Sequence, residues 1–121
     1  MTNKTTVLIG ATSDPSRYAY KASNSIVRHG HDLYPLGIHE GQVAGKEIIL
    51  EKKAIDNVDT VTLYISPKRQ PEWYEYVISL KPKRIIFNPG TENEEFEVMA
   101  QKAGIEAIEG CTLVMLSIGT Y

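Results

Sequence analysis

The sequence predicts an α/β fold: a doubly wound parallel sheet covered on both faces, forming a single three-layer domain over residues 1–121. Three observations predict it. Short apolar runs of strand length alternate with stretches of helical period. The links between them are short, and the first run ends in a glycine-led turn that feeds a helix.

The first strand is Thr5-Thr6-Val7-Leu8-Ile9, ending in Gly10-Ala11-Thr12-Ser13-Asp14-Pro15-Ser16-Arg17. Tyr18 to His29 reads as a helix with Ala19, Ala22 or Ser23, and Ile26 along one face, small enough to lie close against a sheet. Asp14 is its expected cap, Pro15 suits its first turn, and Gly30 its end. His31 to Leu36 is the second strand; a glycine-punctuated loop, 37–45, leads to a short candidate strand at Glu47 to Leu50. Thr60 to Ile65 is the next strand and stops at Ser66-Pro67, because proline has no amide to give a ladder. Trp73, Val77 and Leu80 fall at helical spacing within Gln70 to Leu80. Arg84 to Phe87 is a strand ending in Asn88-Pro89-Gly90. Thr91 and Glu94 read as a capping box for a helix with the apolar stripe Phe96, Met99, Ala100 and Ala103, stopped by Gly104. Ile105 to Ile108 closes the set, and the apolar tail Thr112 to Leu116 docks on the body with no predicted type.

Composition excludes several functions. A net charge of −2 provides no broad basic face for nucleic acid. No apolar run reaches bilayer-spanning length, and Met1 to Lys4 lead straight into a strand, so neither membrane insertion nor a secretory leader is expected. Cys111, the one cysteine, excludes an internal disulfide and suits a reducing cytoplasm. With 42% hydrophobic and 23% charged residues, the balance is that of an ordinary soluble globule.

In such a sheet, ligands gather outside the carboxyl ends of the strands. The segments Gly10 to Arg17, Leu36 to His39, Ser66 to Arg69 and Asn88 to Thr91 should meet there, bringing amides, hydroxyls and the cations Arg17, Lys68 and Arg69. Lys81, Lys83 and Arg84 precede a strand and are expected as a solvated cluster at the opposite edge. A glycine-led turn into a helix can simply save space, but it also leaves amides where a phosphate can sit. Glu92, Glu94, Glu95 and Glu97 make the later helix start a poor anion site, so a diphosphate belongs at Gly10 to Ser13 with Arg17. The dipole and amides contribute on the order of 1 kcal/mol there, leaving most of any affinity to other contacts. Two departures count against NAD. Thr12 and Pro15 break the Gly-x-Gly-x-x-Gly pattern, and Leu36-Gly37-Ile38-His39 stands where a ribose-binding acid is usual, with Glu40 somewhat late.

The order Val7-Leu8-Ile9-Gly10-Ala11-Thr12, Pro15-Ser16-Arg17, Val58-Asp59, Ile65-Ser66-Pro67 and Asn88-Pro89-Gly90 resembles the small CoA-binding-domain family. This is the single-domain, Rossmann-like group related to the nucleotide-binding region of succinyl-CoA synthetase α chains. The likeness runs on through Ala103-Gly104-Ile105 to Cys111. It implies CoA or an acyl-CoA held non-covalently in extended form, its diphosphate over Gly10, Ala11, Thr12, Ser13 and Arg17. Gly37 belongs to the same strand-end set. Ser66 and Pro67 match the loop flanking the adenosine or pantetheine portion, and Asn88, Pro89 and Gly90 the next turn. Family members often carry Asn-Pro-Lys after the second strand, where the lysine meets a phosphate. This chain reads Tyr34-Pro35-Leu36-Gly37, and His39 is only a partial substitute, since a neutral imidazole offers a phosphate less than a fixed cation.

No residue set reads as catalytic or as a metal site. His29, His31 and His39 share no ligand spacing, and Cys111 reads as a buried small thiol. Tyr18 and Tyr20 suit a pocket rim or plain packing equally. The related acid–thiol ligases need a further domain with a phosphorylated histidine and an ATP-grasp partner, for which this chain has no room. The leading expectation is therefore a non-catalytic CoA or acyl-CoA module, with any chemistry residing in an enzyme partner. The alternatives are an NAD(P)-dependent oxidoreductase and a degenerate Rossmann domain serving as a protein-interaction subunit. Trp73, Tyr74 and Tyr76 cannot all face one core, so an exposed aromatic patch and a homodimer are also expected.

Overall fold

The structure, a computed structural model, describes residues 3–121. In chain order the elements are β1 (Thr6–Ile9), α1 (Tyr18–Arg28), β2 (Leu33–Leu36), β3 (Gln42–Val43), β4 (Lys46–Glu47) and β5 (Thr60–Leu63). A 3-10 helix (Pro67–Trp73), α2 (Tyr74–Ser79), β6 (Arg84–Phe87), α3 (Glu94–Lys102), β7 (Glu106–Glu109) and α4 (Thr112–Ile118) follow. Five of the strands form one parallel sheet in the order β2-β1-β5-β6-β7, with Val7 opposite Tyr34 and Val61, and Ile85 opposite Val61 and Ala107.

Strand alternation sorts the apolar residues into two cores. Val7, Ile9, Val61, Leu63, Ile85 and Phe87 point to one face, where Trp73, Val77 and Leu80 meet Phe96 and Ala100 of α3. Leu8 points to the other, against Ala19, Ala22 and Ile26 of α1 and Leu116 of α4. Helices on both faces explain why β1, β5 and β6 are buried along their whole length and read as continuous runs rather than alternating ones. The predicted three-layer, doubly wound Rossmann-like fold is the observed one.

Helix ends follow local chemistry. Gly30 ends α1 as expected: its amide donates to the Val27 carbonyl at 3.0 Å and that of His31 to Ile26 at 3.2 Å, the paired bonds of a Schellman motif. The starts are corrected. Asp14 does not cap α1; its carboxylate accepts from the amide (3.0 Å) and hydroxyl (2.8 Å) of Ser16, and Pro15 sits in a turn closed by the Arg17 amide on the Asp14 carbonyl at 3.1 Å. Asn93 rather than Thr91 caps α3, accepting the Phe96 amide at 3.2 Å from an extended backbone, whereas the Thr91 hydroxyl turns back to the Asn88 carbonyl at 2.8 Å. The segment from Gln70 is split, because Pro71 withholds an amide and the chain tightens into 3-10 turns before α2. The stretch near Glu47 is a β3–β4 hairpin, after which Ile49 pairs with Leu36 and covers the β2 edge. The untyped tail is α4.

Two surface expectations are also corrected. Arg84 is not solvated. It is 8% exposed, its Nε donates to Thr60 Oγ1 at 2.7 Å, and its guanidinium lies 4.6 Å over the Tyr121 ring beside Asp59. Nor is there an aromatic patch at 73–76. Trp73 is buried, Tyr74 stacks on Phe96 with centroids 4.5 Å apart and accepts from Asn93, and the Tyr76 hydroxyl donates to the Lys53 carbonyl. Without that patch, the expectation of a homodimer loses its basis.

Close backbone approach fixes the carboxyl edge. A Cβ on Gly10, which sits at φ +101°, would lie 2.7 Å from the Tyr64 carbonyl oxygen, and one on Gly37 would lie 2.6 Å from that of Ala11. Gly10→Ala and Gly37→Ala should each cost about 2 kcal/mol or more in chemical denaturation. Gly30→Ala, at φ +85° with open space around it, should cost only about 1 kcal/mol.

Candidate functional site

A cleft of about 440 Å³ opens at the carboxyl edge of the sheet. It lies where strand order reverses: the chain steps from β1 outward to β2, then back past β1 to β5. One wall is Gly10, Ala11, Thr12 and Ser13 with Arg17; a second is Gly37 to Glu40 with Ile48; the third is Tyr64, Ile65 and Ser66 with Arg69 and Trp73.

The sequence singled out the β1–α1 turn for its free amides, and the structure divides them. Gly10 and Ala11 are spent: both amides donate to the Leu36 carbonyl, at 2.9 and 2.8 Å, sealing β1 to β2. The Asp14 amide goes to Thr12 Oγ1 at 3.1 Å. Among the described residues the Thr12 and Ser13 amides make no hydrogen bond to a protein acceptor. Behind them α1 begins with no acidic residue in its first turn, whereas α3 begins with Glu94, Glu95 and Glu97. The positive end of a helix dipole therefore faces the cleft from α1. The Asp14 carboxylate lies close by but is turned into its own loop, where Ser16 holds it below the usual carboxylate range.

The other anticipated residues separate. Arg17, Gly37 and Ser66 line the cleft, as does Arg69. Pro67 begins the 3-10 helix just outside the wall, and Asn88, Pro89 and Gly90 also lie outside it. Asn88 is an internal tie instead. Its Nδ2 donates to Thr62 Oγ1 (2.7 Å) and to the Leu63 carbonyl (2.8 Å), and its Oδ1 accepts the Thr112 amide (2.9 Å), binding β5, β6 and α4 together. Tyr18 is exposed and Tyr20 packs into the α1 core; neither lines the cleft. Of the histidines only His39 reaches the cleft; His29 bonds the Ser25 carbonyl and His31 accepts the Lys4 amide. Cys111 is half-buried beside Tyr64, whose phenol is pushed far up by burial. Among the described residues no group of three or more His, Cys, Asp or Glu gathers to hold a metal.

The sequence did not place Ile48, Ile65 and Trp73 in the wall. Ile48 arrives through hairpin closure, and Trp73, expected only at helical spacing with Val77 and Leu80 or in an exposed aromatic patch, belongs to both the core and the cleft wall.

The sequence pattern of the family described as "CoA binding domain" matches residues 4–117. The chain belongs to that family. The crystal structure of an uncharacterized protein matches this CoA-binding-domain chain with a TM-score of 0.98 at 54% identity, over 100% of both chains. A hypothetical protein from Pyrococcus horikoshii reaches 0.86 at 26% identity, over 96% of this chain and 83% of its own. An acetyl-coenzyme A synthetase from Candidatus Korarchaeum cryptofilum, solved with phosphate and ADP, reaches 0.70 over 89% of this chain and 26% of its own; at 18% identity it attests the fold alone. No curated protein is a significant match. Among the described residues no helix is long and apolar enough to cross a membrane.

Within this CoA-binding-domain fold, Asn88→Ala should cost about 2–3 kcal/mol in a denaturant titration, because it leaves the buried Thr112 amide and Leu63 carbonyl without their partner.

Proposed function

We propose that the chain binds CoA or an acyl-CoA non-covalently in the cleft between β1 and β5. The diphosphate rests against the Thr12 and Ser13 amides and the first turn of α1, and Arg17 neutralises it. The observation that carries this reading is the pair of unspent amides at an acid-free helix start, opening into a cleft of a CoA-binding family member. Arg69 adds a second cation, and Ile38, Ile48 and Ile65 offer apolar wall to the uncharged pantetheine arm. The residues present therefore fit such a ligand without a lysine after β2.

Bound CoA supplies a thiol or a thioester. We place no chemical step on this chain: its cleft brings cations, amides and apolar side chains that hold a ligand, while Cys111 lies outside the wall. The thioester chemistry then belongs to an enzyme partner, and a cytoplasmic setting accords with the lone thiol.

One observation favours a second reading. Glu40 lines the cleft, and its carboxylate suits the ribose hydroxyls of a nicotinamide dinucleotide.

Calorimetric titration with CoA, acetyl-CoA, ADP and NAD separates the two, with Trp73, the one tryptophan and a cleft residue, as a fluorescence reporter. Saturable CoA binding is expected, weakened about 10-fold by Arg17→Ala. No heat and no thermal shift at millimolar CoA would reject the proposal, and tighter binding of NAD than of CoA would promote the alternative.

A further inference from the structure

The amino edge of the sheet, opposite the cleft, gathers a separate group of charged and aromatic side chains. Tyr121, in the segment after α4, lies across it. Its hydroxyl bonds Thr6 Oγ1 and its carbonyl accepts Lys4 Nζ. Its ring carries the Arg84 guanidinium 4.6 Å from the centroid and Lys4 Nζ at 5.8 Å. The His31 ring completes the group, with centroids 5.0 Å apart and a tilt of 48°. Two carboxylates stand nearby. Asp59 is engaged by Thr60, Lys83 and Arg84, and Asp32 accepts Asn3 Nδ2 at 2.9 Å.

The two histidines of this corner use the same ring atom in opposite ways. His29 Nδ1 donates to the Ser25 carbonyl at 2.7 Å, so that atom carries a proton whether the ring is neutral or charged. His31 Nδ1 accepts the Lys4 amide at 2.9 Å, so it must be bare and the ring neutral. A proton there would set two N–H groups against each other and add a charge beside Lys4, Arg84 and His29. Burial first, then Lys4, His29 and Arg84, hold the His31 imidazole below the ordinary histidine range, against a weaker pull from Asp59.

We infer that His31 and Tyr121 form a proton-sensitive clasp: protonation of His31 Nδ1 breaks the bond from Lys4 and frees the segment after α4 from the amino edge. The helix itself stays in place, because Asn88 holds the Thr112 amide at 2.9 Å and Leu116 lies in the core. Gly119, left-handed at φ +79°, ends α4 and is the pivot. Release removes the ring that covers Arg84 and leaves Lys4, His31 and Arg84 together as open cationic surface. The released ring takes a proton more readily than the clasped one. The clasp is therefore complete above the ordinary histidine value of about 6.5 and weakens as pH falls through it.

The test is heteronuclear NMR of the full chain from about pH 8 to about pH 5, across the ordinary histidine range. Protonation of His31 should abolish cross-relaxation between the His31 and Tyr121 rings and lower the exchange protection of the Lys4 amide about 10-fold, while the Thr112 amide keeps its protection. His31→Asn, which retains an uncharged acceptor, should hold Tyr121 in place over the whole range, and His29→Asn should still release it. Tyr121→Leu, which keeps His31, should move the His31 midpoint up toward that of a free histidine. Ring contacts that survive protonation of His31 overturn the inference, as does a His31 that stays neutral down to about pH 5. Equal release in His31→Asn, or an unmoved midpoint in Tyr121→Leu, overturns it as well.

Discussion

One carbonyl organises the carboxyl edge of the sheet. The Leu36 oxygen accepts both the Gly10 and Ala11 amides, so the chain leaving β1 is drawn tightly across the end of β2 before it can turn toward α1. That path requires bare backbone at Gly10, against the Tyr64 carbonyl, and at Gly37, against the Ala11 carbonyl. The two glycines are not there to expose their own amides to a ligand. They let three strand ends close to within backbone contact, and among the described residues the first amides of the turn that make no protein hydrogen bond are those of Thr12 and Ser13, in the cleft wall. The free donors of the turn are thus displaced two residues along it by a structural bond that uses the earlier ones.

The opposite edge is built from charge and ring rather than from backbone contact. Arg84 is drawn in by Thr60 Oγ1 and lies between Asp59 and the Tyr121 ring, and the Tyr121 hydroxyl bonds Thr6 at the start of β1. A buried guanidinium is a costly thing to desolvate, and one of its nitrogens, Nη2, has no partner among the described residues. The ion pair, the hydroxyl and the aromatic face together offset that cost. The two edges therefore differ in kind. At the amino edge Arg84 is spent on holding Tyr121 against the sheet, whereas Arg17 and Arg69 at the carboxyl edge stay exposed on the cleft wall.

What was legible in the sequence followed from periodicity. Residues 84–87 as a strand, the Ala19–Ala22–Ile26 face and the stops at Gly30 and Gly104 each depend on neighbours within one turn or one strand, and all are as read. Caps were less legible because they hang on one residue's backbone angles: both Thr91 and Asn93 carry a suitable oxygen, and only the extended backbone of Asn93 decides between them. Arg84 was misread because its cover comes from Tyr121, 37 positions away in the chain, which local charge patterning does not see. The site divides in the same way. The β1–α1 turn was visible as glycine and hydroxyl residues ahead of a helix, but the split between spent and unspent amides is a cross-strand fact. The Asn88 turn followed the family motif to the right edge of the sheet, yet its side chain is consumed by Thr62, Leu63 and Thr112.

The charge around the cleft gives the ligand a direction. Arg17 stands at the α1 end and Arg69 on the 3-10 helix, while the one carboxylate in the wall, Glu40, comes from the loop after β2 together with Ile38 and His39. An extended ligand that is anionic at one half and neutral at the other is discriminated by such a wall. Laid with its phosphates toward α1 and β5, it meets both cations; reversed, it sets a phosphate against Glu40 and leaves Arg69 facing an uncharged chain. Like-charge contacts of that kind cost more than the opposite-charge contacts at an exposed lip contribute, so exclusion of the wrong orientation weighs at least as much as attraction toward the right one. On the reading proposed above, an acyl group would leave by the side of the cleft without cations.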